Sequence, residues 1–121
     1  MPRFVTQKLH AYIDYPVALG LLMMPFLLGL GTSNPLAVTL SVATGVAALV
    51  LTALTDHETG VAKVLPYSVH LAVDFMVGLT FVAAPFVLGF TGLDAAYYWV
   101  IGATVLAVVG LHQPARDMQT A

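Results

Sequence analysis

Four side chains in this 121-residue chain have types and spacing suited to chemistry. They are His10 and Asp14 and, sixty residues later, His70 and Asp74. A histidine at i and an aspartate at i+4 share one face of an α-helix. Each pair thus offers one nitrogen and one oxygen in the same direction. Two such pairs facing one another make an N2O2 set, which suits Zn2+ or another divalent metal. His57 and His112 are weaker candidate ligands, because they fall outside the sixty-residue register. The same histidines allow a second chemistry. His10 and His70 as axial ligands of haem b, with Asp14 and Asp74 orienting the imidazoles, would make a membrane electron carrier. A third reading is purely structural, with the pairs pinning helices together in a scaffold or accessory subunit.

The elements that hold these residues are apolar. Hydrophobic residues make up 60% of the chain and charged residues 8%, against roughly 25% charged in ordinary soluble domains. A small soluble protein cannot hide that much apolar surface, so lipid is the expected solvent. An aspartate inside a membrane span costs roughly 2.5–3.5 kcal/mol at mid-bilayer and is a candidate functional residue for that reason. With no cysteine, thiolate metal sites and disulfides are excluded. No basic tract for nucleic acid is present, and no Gly-rich phosphate loop, nucleophile triad or HExxH motif. The expected role is therefore non-enzymatic.

Four spans are expected, about Leu9–Gly31, Leu36–Thr55, Pro66–Phe90 and Ala95–His112. The first apolar run outlasts the roughly 7–15 residues of a signal-peptide core, so it reads as a span. GTSNP at 31–35 and TGLD at 91–94 are tight turns, with Asn34 and Asp94 as N-caps. Kinks are expected near Pro25 and Pro85. Ser41, Ala43, Gly45 and Ala47 give small-xxx-small spacing for close helix approach. Small residues of this kind also suit a homo-oligomer. Thr44 and Thr104 are expected to bond to carbonyls of their own helices.

All four basic residues, Arg3, Lys8, Lys63 and Arg116, lie in the head, the 56–65 loop or the tail. The positive-inside rule then puts both termini in the cytoplasm, in a multi-pass protein of the inner membrane. Tyr97, Tyr98 and Trp99 read as an aromatic belt on the far side.

Residues 10–55 align on 70–115 without gaps, with twelve identities that include His10, Asp14, Pro25, Phe26, Leu28 and Gly29 and their partners. The chain is therefore a single membrane domain, 1–121, built from two copies of a two-helix unit, about 9–55 and 66–113. Two spans per unit make the copies parallel, related by a pseudo-twofold axis along the membrane normal. The expected fold is an all-α membrane protein, with four transmembrane helices arranged as two such hairpins.

The unit resembles the SPW-repeat integral membrane proteins, whose first helix reads like G-L-W-L-I-I-S-P-W-V-L-G-F. Residues 78–90, GLTFVAAPFVLGF, share Gly78, Leu79, Pro85, Val87, Leu88, Gly89 and Phe90 with that frame. Residues 20–30, GLLMMPFLLGL, share less of it. Ser-Pro-Trp is replaced by Met24-Pro25-Phe26 and Ala84-Pro85-Phe86. The resemblance implies fold and membrane location, and it implies no activity. Function thus rests on the His/Asp residues, and the expected role is binding or transport of a divalent metal or a proton near the cytoplasmic face.

Overall fold

The computed structural model describes residues 6–55 and 60–111, apart from the side chains of Gln7 and His10. Four helices follow in order: α1 (Gln7–Leu27), α2 (Leu36–Leu54), α3 (Tyr67–Leu88) and α4 (Gly92–Gly110). The protein is all-α. Helices α2, α3 and α4 are long and apolar enough to cross a membrane. In α1 the apolar run is Ala11–Leu27, preceded by the polar turn of Gln7, Lys8 and His10.

Packing is concentrated within two hairpins, α1 with α2 and α3 with α4. Short connections make each pair antiparallel neighbours. One end of the molecule therefore carries the two tight turns, and the other carries the start of α1, the end of α4 and the α2–α3 loop. These are called the turn end and the loop end.

The shared Pro-Phe-x-Leu-Gly pattern is a helix stop. Gly29 has φ 66° and Gly89 φ 69°, the left-handed region that glycine enters without a Cβ clash. In α1 the Leu30 amide donates to the Pro25 carbonyl at 2.9 Å and the Gly29 amide to that of Phe26 at 3.3 Å. This is a Schellman closure, and it ends α1 at Leu27 rather than at Gly31. Both prolines lie in the last turns of continuous helices. Pro25 has no amide to give the Leu21 carbonyl four residues back. Ser41 of α2 fills that place, with its hydroxyl donating to the Leu21 carbonyl at 2.8 Å.

Glycine also sets how closely the helices approach. A Cβ on Gly45 would lie 2.9 Å from Leu22 of α1, and one on Gly102 would lie 2.8 Å from Val82 and 3.0 Å from the Gly78 carbonyl of α3. Of the four small residues singled out in α2, Ser41 and Gly45 are buried, whereas Ala43 and Ala47 are exposed. Half of that expectation is therefore corrected: only the Ser41–Gly45 register faces α1. Thr44 and Thr104 do bond to the carbonyls of Leu40 and Val100, each at 2.7 Å.

The apolar core sits at the turn end. Phe81, Phe90, Tyr97 and Tyr98 meet there with Leu21, Leu30 and Ala37. Tyr98 stacks against Phe81 and Phe90, with centroids 4.6 and 4.8 Å away. The expected aromatic belt is thus corrected. Tyr97 and Tyr98 are buried between the hairpins, and of the three only Trp99 is exposed. The Tyr98 hydroxyl donates to the Ala37 carbonyl at 2.6 Å. Ser41 commits its own proton to Leu21, so the Tyr97 hydroxyl donates to Ser41, 2.7 Å away.

Asp94 is a further correction. Helix α4 starts at Gly92 with Thr91 as N-cap, so Asp94 is inside the first turn and does not cap its own helix. Its carboxylate crosses to the other hairpin instead. It accepts from the Gly31 amide at 2.8 Å, the Ser33 amide at 3.0 Å and the Ser33 hydroxyl at 2.5 Å. Asn34 crosses in the opposite sense, donating to the Leu88 carbonyl at 3.0 Å while its Oδ1 accepts from Leu36 at 3.0 Å.

Candidate functional site

Three of the four principal residues converge at the loop end. His70 lies in the first turn of α3, Asp74 one turn later, and Asp14 two turns into α1. The i, i+4 spacing puts His70 and Asp74 on one face, and the packing of the hairpins brings Asp14 to that face. His70 Nε2 is 3.2 Å from an oxygen of Asp14 and 3.2 Å from an oxygen of Asp74. Ligand atoms of the three residues all lie within 4.8 Å of one another. His70 is 2% exposed and Asp14 9% exposed, so both groups lie away from bulk water. The side chain of His10, the fourth expected member, lies outside the described residues, as do His57 and His112.

The other ring nitrogen is held by a residue that the sequence did not point to. Thr55 Oγ1 is 2.8 Å from His70 Nδ1, and the Thr55 hydroxyl donates to the Leu51 carbonyl at 2.5 Å. With its proton so committed, Thr55 accepts, and Nδ1 carries the hydrogen. That fixes the tautomer and aims Nε2 at the carboxylates, which is how an oriented metal-binding or proton-binding imidazole is usually held. Thr55 reaches this place because the chain after α2 folds back. The amides of Val61 and Ala62 donate to the Ala53 carbonyl, and those of Val64 and Leu65 to the Leu54 carbonyl, at 2.6–3.0 Å. These bonds satisfy the open carbonyls at the helix end. Spacing within the sequence gives no hint of Thr55, because its contact depends on that fold-back. Tyr67, one turn before His70, stacks on the imidazole with centroids 6.1 Å apart.

Two carboxylate oxygens facing one imidazole nitrogen make a place for positive charge. Ligand atoms about 2.0–2.1 Å from a tetrahedral ion lie about 3.3–3.4 Å from each other. The two 3.2 Å separations are close to that, and they also suit a proton shared between nitrogen and oxygen. Unlike the symmetric N2O2 set expected from the repeat, the described cluster has one nitrogen and two carboxylates.

Beside the cluster, a cavity of about 520 Å3 runs between the hairpins. Asp14, His70 and Asp74 line it at the loop end, and Val17, Leu21, Leu51, Val77, Ile101 and Val105 line the rest.

A family model described as the SPW repeat domain matches residues 8–113. No curated protein and no solved structure gives a match.

Proposed function

The chain belongs to the SPW repeat family, and from that premise we propose that it is a membrane protein that binds a cation, a divalent metal or a proton, at Asp14, His70 and Asp74. One observation carries this reading. His70 Nδ1 is tied to Thr55, so Nε2 faces two carboxylate oxygens at equal distance. A bare lone pair there would oppose two negative groups, and a proton or a metal ion between them removes the conflict. The cluster joins α1 to α3, so the cation also links the two hairpins.

Lys8 and Lys63 belong to the loop end. The positive-inside rule then assigns that end, with both termini, to the cytoplasm. The site would open to the cytoplasmic side of the inner membrane, with the cavity leading towards mid-bilayer. The haem alternative fits less well. An axial histidine needs one nitrogen clear for iron, whereas Nε2 of His70 is directed at Asp14 and Asp74.

The test is zinc titration of protein purified without a histidine tag, with elemental analysis of the product. We expect one ion per chain, lost in the Asp14→Asn and Asp74→Asn variants. Affinity should fall as pH falls, by about tenfold per unit for each proton the ion displaces, because His and Asp ligands must be deprotonated to bind. Zinc retained in both variants would overturn the assignment.

A further inference from the structure

The cavity and the cluster together carry a more specific reading. We propose that the cavity binds a membrane-dissolved amphiphile with a protonated amine head, the amine at Asp14 and Asp74 and the apolar body between the hairpins. The inference rests on the cation reading above and names the class of cation.

Three observations support it. First, the cavity extends from Asp14 to Leu21 along α1 and from His70 to Val77 along α3, about 10 Å at the rise of a helix. Its 520 Å3 falls within the roughly 300–1,000 Å3 of sites that enclose small organic molecules. An inorganic ion uses only the polar end of such a space.

Second, a groove adjoins the cavity. It is shallower, lies between α2 and α3, is lined by Val69, Ala72, Met76 and Thr80, and shares Thr44, Val73 and Val77 with the cavity. Packing between the hairpins is slight compared with packing inside each hairpin. A ligand already dissolved in the bilayer can therefore enter sideways along this seam.

Third, the polar end selects the sign of the head group. Among the described residues it presents two carboxylates and one imidazole. An ionised carboxylate is purely an acceptor, with about four lone-pair sites, so an ammonium with three donors is the complementary group. A phosphate or carboxylate head would meet like charge. A quinone or ketone head needs a donor, and His70 directs Nδ1–H to Thr55 and Nε2 to the aspartates.

The experiment uses the full chain in phosphatidylcholine nanodiscs without metal. The probe is decylamine with a diazirine in its chain, and the control is the matching decanol. After irradiation, mass spectrometry should place the amine on the peptides of residues 44–54 and 70–77. Labelling should exceed that by the alcohol by about tenfold or more, the worth of a charge-assisted hydrogen bond in a dry site. Zn2+ should compete with the amine. Ala48→Phe, which fills the cavity, should lose the label while keeping zinc. Equal labelling by amine and alcohol overturns the amphiphile, and zinc binding in the same samples then shows whether the cation reading stands. Selective labelling with no zinc bound would support the amphiphile and limit the site to organic cations. Label found only on outward residues such as Val46 would overturn the cavity as the site.

Discussion

The turn end and the loop end each place an aspartate between the hairpins, and they treat it differently. At the turn end, Asp94 accepts from two backbone amides and a hydroxyl of the opposite hairpin. Its charge is met by fixed donors, so the carboxylate acts as a staple. Around it Tyr98 and Phe81 fill the space. At the loop end, Asp14 and Asp74 converge on a single imidazole nitrogen, and the space beside them is a cavity. One aspartate is saturated by the fold. The other two meet at one imidazole nitrogen, where the proposal above places a cation. By the proposal above, the turn end uses its carboxylate to hold the hairpins together and the loop end uses its pair to bind.

If this contrast is right, damage to the turn end should cost the most stability. Asp94→Ala removes three hydrogen bonds to a charged acceptor and leaves the Gly31 and Ser33 amides facing an apolar methyl. We expect a loss of about 3 kcal/mol or more, measured by denaturant unfolding in mild detergent. A smaller effect is expected where helices touch through glycine. Gly102→Ala sets a methyl 2.8 Å from Val82 and 3.0 Å from the Gly78 carbonyl. Separation of α3 from α4 should cost about 1–3 kcal/mol, read in the same assay. The smallest change is expected at the loop end. Asp14→Asn keeps the shape and leaves His70 facing Asp74, so stability should fall by less than in either variant above while zinc binding is lost. A loss there as large as that for Asp94→Ala would make Asp14 a staple too and erase the contrast.

Much of the fold was legible because membrane helices declare themselves by length and apolarity, and because the sixty-residue register ties His10 to His70 and Pro25 to Pro85. The glycine stops at Gly29 and Gly89 are equally local. What was not legible depends on contacts between the hairpins. Asp94 has the residue type of an N-cap, and only the position of the 31–33 backbone turns it into a staple across the interface. Tyr97 and Tyr98 have the composition of an interfacial belt, yet Ser41 and the Ala37 carbonyl draw their hydroxyls inward. The site was half legible. Spacing put His70 with Asp74, and the repeat put Asp14 at the same depth. Thr55 needed the loop to fold back, and its sixty-residue partner is Ala115, which has no hydroxyl to offer. The two repeats thus differ at the residue that would orient a histidine, so the pseudo-symmetry of the sequence does not predict one symmetric site.

The central claim is that a cation lies between His70 Nε2 and the two carboxylates. Solid-state 15N NMR of labelled histidine in lipid bilayers tests it most directly, with the His70 signal identified by its loss in His70→Gln. Without metal at neutral pH, the account predicts an imidazolium with both nitrogens protonated. Added Zn2+ should move the Nε2 resonance to that of a metal-bound nitrogen and leave Nδ1 protonated against Thr55. A neutral His70 that keeps a bare Nε2 and ignores zinc would contradict the account.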